Sequence, residues 1–259
     1  MLENELKVVV AVVRKAGDAI QRIADEHYQA AVESADRTVV TMADLEADRI
    51  LQETLRGEFP EYGWLSEETK EDMQRFSSAR VWIVDPLDGT REFVMKIPEY
   101  AVSVALVEEG IPILGAVYNP ANQELYTAVK GEGTQFNGKT VQCNRRLAGK
   151  PVVEVSRSDI EKGRFAAVAD DLELHPCGSI AYKLARSAGG QADSTLSITP
   201  KNEWDIAGGV ILVSEAGGRV TDLAGNTYVF NQKDTLVNGV IAATQEAYGP
   251  IKKMTDAVL

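Results

Sequence analysis

The sequence predicts an α+β fold made of two unlike halves, and three observations lead there. Two N-terminal stretches repeat apolar residues at helical spacing. The segment from about Ala101 to Gly138 is a run of short apolar strands broken by tight turns, the pattern of an antiparallel meander. From about Gly149 onward, strand-like and helix-like stretches alternate. Residues 1–148 are therefore expected to form an N-terminal α+β half holding the antiparallel sheet, and residues 149–259 a C-terminal α/β half. No internal repeat, low-complexity tract or long linker separates them, so the halves should pack together with a site between them.

The first helix is expected from about Glu3 to His27, where Leu6, Val9, Val10, Val13, Ala16, Ile20 and Ile23 share a face. The polar stretch Ser34-Ala-Asp-Arg37 reads as a loop or short hairpin. A second helix should run from Thr41 to about Arg56, with Thr41 and Asp44 spaced as a relaxed capping box. Pro60-Glu-Tyr-Gly63 is a turn, Trp64-Leu65 a short strand, and Glu71 to Ser78 a polar, mobile surface segment. Val81 to Val84 is a buried strand that breaks into a turn at Pro86 and Gly89. Strands follow at Ala101–Val107, Ile113–Tyr118 and Leu125–Val129, with hairpin signals at Gly131-Glu-Gly133 and Asn137-Gly138. In the second half, strands are expected at Val152–Val155, Ala166–Ala169, Ala192–Leu196 and Val237–Ala243. Helices are expected at Ser179–Ala188, closed by Gly189-Gly190, at Asp205–Ala216, and at Gln245–Val258.

Composition narrows the function. A net charge of −12 disfavours a nucleic-acid polymer or an anionic membrane as partner, and means that an anionic substrate needs metal ions or local cations to approach. The only cysteines, Cys143 and Cys177, have no metal-site spacing and read as reduced thiols of a cytoplasmic protein. The acidic N-terminus lacks the basic start of a signal peptide, and no apolar run approaches the ~20 residues of a membrane span. Neither His27 nor His175 has a triad-like companion motif, which argues against a serine–histidine hydrolase.

The chemistry centres on Val81-Trp-Ile-Val-Asp85-Pro-Leu-Asp88-Gly-Thr90. Carboxylates at the end of a hydrophobic strand are costly unless something compensates them. Asp85 and Asp88 can point into one pocket, Glu67-Glu68 lies just upstream, and Asp205 comes later in Trp204-Asp-Ile-Ala-Gly-Gly209. Such an oxygen-rich set suits a hard divalent ion such as magnesium, which takes carboxylates, waters and substrate phosphate. Gly89 and Thr90 would turn backbone N–H groups toward a phosphate. For single residues plainer roles compete: Asp44 as the N3 capping residue, Asp205 as an N-cap, Trp204 as core.

These motifs, in this order, resemble the inositol monophosphatase superfamily: Glu67, then Asp85-Pro-Leu-Asp88-Gly-Thr90, then Trp204-Asp205-x-Ala-Gly-Gly209. Leu65-Ser-Glu-Glu68 and Asp88-Gly-Thr-Arg-Glu-Phe93 most resemble its 3'(2'),5'-bisphosphate nucleotidase (CysQ) group. The resemblance covers nearly the whole chain. It implies a layered α/β/α/β/α sugar-phosphatase fold and a magnesium-dependent, lithium-sensitive phosphomonoesterase with two or three Mg2+ ions. It also implies one metal on Glu67, Asp85 and the Leu87 carbonyl, and a second on Asp85, Asp88 and Asp205. Glu67 is taken as the ligand of the acid pair and as part of the catalytic set, with Glu68 behind it. Thr90 would hold the attacking water, with Asp44 accepting its proton.

On the substrate side, Gly89, Thr90, Asp205 and the helix start Gly178-Ser179 are expected contacts. Arg91, Lys183, Arg186 and Lys201 are the candidates for a second phosphate. Inositol phosphatases carry an acid several residues before the Trp-Asp motif, where this chain has Ile198. The expected substrate is thus adenosine 3',5'-bisphosphate, with inositol 1-phosphate or fructose 1,6-bisphosphate as alternatives within the same chemistry. A non-catalytic metal- or ligand-binding regulator is the alternative of another class. The expected partner is a small phosphate monoester, and a homodimer is compatible with the sequence.

Overall fold

A computed structural model describes residues 2–26, 31–33, 39–70, 72–143 and 149–258. His27, the Ser34–Arg37 segment and Glu71 lie outside the described residues. The chain runs α1 (Glu3–Glu26), β1 (Ala31–Glu33), β2 (Val39–Thr41), α2 (Met42–Glu58), β3 (Gly63–Ser66), β4 (Arg80–Asp88), α3 (Thr90–Val94), β5 (Ala101–Glu108), β6 (Ile111–Asn119), β7 (Glu124–Val129), β8 (Gly133–Phe136) and β9 (Lys139–Val141). It continues through β10 (Val152–Val155), α4 (Arg157–Glu161), β11 (Glu173–Pro176), α5 (Ile180–Ala188), β12 (Ser194–Ser197), β13 (Lys201–Asn202), α6 (Glu203–Glu215), β14 (Arg219–Thr221), β15 (Leu236–Val237), β16 (Val240–Ala243) and α7 (Gln245–Val258).

These elements stack as α/β/α/β/α. The outer pair α1 and α2 lays Val9, Val13, Ile20, Leu51 and Leu55 on one face of a seven-stranded sheet, against Trp82, Val84, Val104 and Leu106. That sheet keeps the order β3 to β9 and is antiparallel apart from the β3–β4 pair. Its other face, with Ile83, Ala105, Val117 and Tyr126, packs on α5 and α6, which in turn cover Val240 and Ala242 of a second sheet. The second sheet has the order β11-β10-β12-β16-β14 and is mixed: β10 runs parallel to both neighbours, and β16 antiparallel to both of its own. Its far face meets α7 through Val153, Val155, Ile241, Ala247 and Ile251. Because β4 is covered on both faces, every residue from Val81 to Leu87 is buried, which is why Val81 to Val84 read as an unbroken apolar run.

Four expectations are corrected. The break at Pro86 is a bulge within β4, not the end of a strand: pairing with β5 slips after Asp85↔Ser103 and resumes at Asp88↔Ala101. The Glu71–Ser78 segment is not all surface. It contains a 3-10 turn, Met73–Phe76, capped by Asp72, and its Arg75 is fully buried. Arg75 donates to the Gln232 carbonyl at 2.8 Å and to Asn231, partners more than 150 residues away that no local pattern could announce. Ala166–Ala169 is not a strand either: Phe165 and Val168 are buried one helical turn apart in a 3-10 turn, while the alanines are exposed. The strand belongs to the polar β11, which the sequence pattern hides because it is an exposed edge. Last, α6 begins at Glu203 with Asn202 as N-cap, so Asp205 is its N3 residue. Among the described residues no helix is long and apolar enough to cross a membrane, and both cysteines are buried and free.

Candidate active site

Four elements deliver acids to one cleft. β3 is held to α2 by Asp48, which accepts the Ser66 hydroxyl at 2.5 Å and the Thr69 hydroxyl at 3.0 Å. The Glu67 N–H continues the parallel ladder to the Val84 carbonyl at 3.3 Å, which places Glu67 beside the β4 bulge. Glu67, Asp85 and Asp205 bring carboxylate oxygens within 4.8 Å of one another, the one such cluster among the described residues. Asp85 is buried. Its Oδ1 accepts the Leu87 N–H at 3.0 Å, whereas its Oδ2 has no hydrogen-bond partner among the described residues. A buried carboxylate with one unpartnered oxygen, grouped within 4.8 Å of two other acids, has the donor chemistry of an oxygen-lined cation site. The donor set therefore fits a hard divalent ion.

The electrostatics agree. Glu67 is exposed at the cleft mouth, but the loss of water around its carboxylate, then Asp205 and Glu68, push it up to about 8. Burial, then Asp88, push Asp205 up to about 7, with Lys201 opposing. Burial, with Glu67 and Asp88 adding to it, holds Asp85 well above the usual carboxylate range. Asp88 is raised by burial too, but the Ser179 hydroxyl (2.5 Å) and the Ala181 N–H (2.6 Å) both donate to its Oδ2 and offset part of that. Clustered acids in a low-dielectric site raise one another until a cation replaces the protons. Glu68, half-buried behind Glu67, rises to about 7 through burial and the nearby Asp44 and Asp48.

Asp44 arrives from the first turn of α2. Its Oδ2 accepts the Thr41 N–H (2.8 Å) and hydroxyl (2.5 Å), completing the capping box, and its Oδ1 accepts the Thr90 hydroxyl at 3.0 Å. One carboxylate thus both caps α2 and reaches the Thr90 hydroxyl. Thr90 Oγ1 also lies 3.1 Å from the Leu87 carbonyl. Gly89 has φ +94, and a Cβ there would come within 2.8 Å of the Glu99 carbonyl, so the turn into α3 requires glycine.

The acids open into a cavity of about 490 Å³ lined by Glu67, Asp88, Gly89, Thr90, Arg91, Gly178, Ser179, Lys183, Lys201 and the α4 region. The expected substrate contacts lie along it with differing freedom. Arg91 is exposed and Lys201 half-buried at its wall. The Ser179 hydroxyl is already engaged with Asp88 and caps α5 at Tyr182 N–H, and the Gly178 N–H donates to Glu99 at 2.6 Å. Arg186 is outside the cavity and pairs with Glu154 at 2.6 Å. Ile198 packs against the α7-side core, and Trp204 is partly buried against the middle core. Sequence reasoning missed Glu99 and Arg157, an ion pair that braces the Gly178 loop. Its members are 58 residues apart and carry no motif.

Comparison with known proteins follows the same lines. A model of the inositol monophosphatase family matches residues 1–257. The chain is 34% identical over 238 residues to the 3'(2'),5'-bisphosphate nucleotidase CysQ of Escherichia coli strain K12, which spans 90% of this chain and 96% of that protein. It is 35% identical over 230 residues to an inositol-1-monophosphatase of Rhizobium meliloti, spanning 85% and 86%. Among solved structures, an IMPase of Thermotoga maritima matches with a TM-score of 0.88 at 27% identity, over 98% of each chain.

Proposed function

The chain belongs to the inositol monophosphatase family of phosphatases, and from that premise we propose that it is a magnesium-dependent phosphomonoesterase that removes the 3'-phosphate of adenosine 3',5'-bisphosphate. The observation that carries the proposal is the convergence of the Glu67, Asp85 and Asp205 carboxylates within 4.8 Å of one another, with one oxygen of Asp85 left unpartnered. Glu67, Asp85 and the Leu87 carbonyl would hold one ion, and Asp85, Asp88 and Asp205 a second, with room in the reading for a third. When bound, such ions stabilise the attacking and leaving oxygens of an in-line displacement.

The chain's own residues supply the rest. With its hydrogen directed to Asp44 Oδ1, the Thr90 hydroxyl has lone pairs left to orient a water. As that water's oxygen forms the new bond to phosphorus, its proton passes through Thr90 to Asp44. The bond to the ester oxygen breaks, and that oxygen leaves as the alcohol with a proton taken from solvent. Burial raises the Asp44 carboxyl above an exposed aspartate, which makes it a better base. The Thr41 cap fixes the direction in which it points. Backbone N–H groups at Gly89 and Thr90 face the phosphate, while Arg91, Gly178, Ser179 and Lys201 border the nucleoside end of the cleft.

Two features favour a bisphosphate nucleotide over inositol phosphate: cations on the cleft wall, and an apolar Ile198 turned into the core where an acid would be expected. Hydrolysis of inositol 1-phosphate is the second reading, favoured by the comparable identity to a relative of that name. A phosphate-release assay with adenosine 3',5'-bisphosphate, inositol 1-phosphate and fructose 1,6-bisphosphate separates them. The expected result is the highest kcat/KM for the nucleotide, loss of activity in chelator and recovery with magnesium. Preference for inositol 1-phosphate overturns the substrate, and robust turnover in chelator overturns the metal dependence.

A further inference from the structure

We propose that Arg75, Asn231 and Glu203 form a brace that fixes the separation of two of the metal-binding acids, Glu67 and Asp205, and so sets the affinity of the site for magnesium. The proposal rests on the metal-site reading above and adds to it three positioning residues, none of which lines the cleft. Glu67 and Asp205 come from separate elements. Glu67 follows β3, at one edge of the seven-stranded sheet, and Asp205 sits in the first turn of α6. In the cleft their carboxylates lie within 4.8 Å of one another and of Asp85. Like charges that close repel, so the acid cluster by itself pushes β3 and α6 apart. Away from the cleft the same two segments are joined a second time.

The join runs through Asn231 and Gln232. On the α6 side, the Glu203 carboxylate is only 1% exposed and accepts the Asn231 N–H at 2.6 Å and the Gln232 N–H at 2.8 Å. The Glu203 N–H donates to the Thr235 carbonyl at 2.9 Å. The Thr235 hydroxyl donates to Asn202 Oδ1 at 3.1 Å, and the Asn202 N–H donates to Asp205 Oδ2 at 2.9 Å. On the β3 side, the Arg75 guanidinium donates to Asn231 Oδ1 and to the Gln232 carbonyl at 2.8 Å. Asn231 Nδ2 returns a bond to the Arg75 carbonyl at 3.2 Å. Arg75 is in turn seated on the start of β3, where a Cβ on Gly63 would come within 2.8 Å of its Cα. A fully buried guanidinium is a costly way to hold two residues, one of which, Gln232, is exposed. Its planar fork, however, fixes two acceptors at a set spacing, which the point charge of a lysine does not. The arrangement therefore holds position: it ties the segment after Glu67 to the start of α6 against the repulsion in the cleft.

The test is titration calorimetry of the metal-free full chain with magnesium, run beside the magnesium dependence of turnover. Asn231→Gly removes the side chain that meets Arg75 but keeps the N–H that Glu203 holds. Glycine also takes the φ of +63 found there without strain, at a half-buried position that does not threaten the core. Magnesium affinity should fall about tenfold, the low end of what is lost when a group that orients a metal ligand is removed. The half-saturating magnesium for turnover should rise to match, while kcat and substrate KM at saturating magnesium stay unchanged. Arg75→Met and Glu203→Gln should move the same readouts in the same direction, and the Asn231 result stands if either of these buried-site variants fails to fold. Ile251→Ala, in the core beneath α7, controls for lost stability alone and should lower Tm without changing magnesium affinity. An Asn231→Gly protein with unaltered magnesium affinity, whatever its Tm, overturns the brace and leaves the phosphatase reading intact. An equal loss of affinity in Ile251→Ala also overturns it, since general loosening then explains the effect. Absence of magnesium binding by the unmodified protein ends the metal reading as well.

Discussion

Asp44 divides its two oxygens between two jobs, and single substitutions can separate them. Thr90→Val removes the hydroxyl that reaches Asp44 Oδ1 and leaves the helix cap alone. Its kcat should drop by about 10²–10⁴-fold with little change in KM, because the lost contact acts on the nucleophile in the transition state. Thr41→Ala removes the hydroxyl that caps Ala43 and Asp44 N–H groups at 3.1 and 3.4 Å. It should cost about 1 kcal/mol of stability, or roughly 2–4 °C in Tm for a chain of this size. Steady-state kinetics beside thermal melts check both; a Thr90→Val protein with intact kcat would show that Asp44 is a cap and nothing more. The acid cluster makes a second claim at this scale. Glu67 near 8 and Asp205 near 7 both bind their protons more tightly folded than unfolded. Stability is then fully present below the ordinary carboxylate range and is lost as pH rises through about 7–8. The metal-free protein should melt highest near pH 5 and progressively lower toward pH 8.5. Magnesium should reverse that trend, because it binds the ionised acids. Melting curves across that range in chelator and in magnesium decide the matter, and a metal-free Tm that climbs with pH contradicts it. The acid identities were legible from the residue types, but which oxygens stay unpaired was not, because that depends on Leu87, Ser179 and Ala181 donating to some of them.

At the scale of elements, α6 is the piece on which the site turns. It sits between the two sheets, so it is apolar around most of its surface and carries Asp205 in its first turn. Small residues allow the close approach. A Cβ on Gly115 of β6 would come within 2.4 Å of Ile211 and 2.8 Å of the Gly208 carbonyl. Gly115→Val should force α6 away from the sheet at a cost of about 1–3 kcal/mol, and Asp205 should move with the helix. The expected outcome is a lower Tm together with a weaker magnesium requirement curve, the half-saturating concentration rising several-fold. A fall in Tm with unchanged magnesium activation would separate the packing from the site. The glycines of Ala207-Gly-Gly209 were visible in the sequence as part of a motif. Their packing partners, Ser103 and Leu184, were not. The bulge in β4 was hidden in the same way: Pro86 announced a break, but only pairing with β5 on the far side makes it a slip in register instead of a strand end.

For the whole molecule, the net charge of −12 and the cationic cleft wall pull in opposite directions. An anionic substrate is repelled at long range and held at short range, so kcat/KM should rise with moderate salt before local contacts are screened. A salt series on the magnesium-loaded protein checks this, and a steady decline from the lowest salt refutes it. The helices α1, α2, α5, α6 and α7, the strands β4 to β7 and the turns that flank β8 were readable in advance, as was the gathering of Glu67, Asp85 and Asp205. These follow from periodicity, turn residues and motif spacing, which are properties of neighbours along the chain. The order of strands in the second sheet, the burial of Arg75 and Lys183, and the Glu99–Arg157 brace were decided only by the folded chain. Each depends on which residues meet across 50 to 150 positions, and a pairing of that kind has no period in the sequence to reveal it. Local pattern therefore determined that acids would gather at the break in β4. The packing of two sheets on α5 and α6 decided which oxygens remain bare and which cations face them.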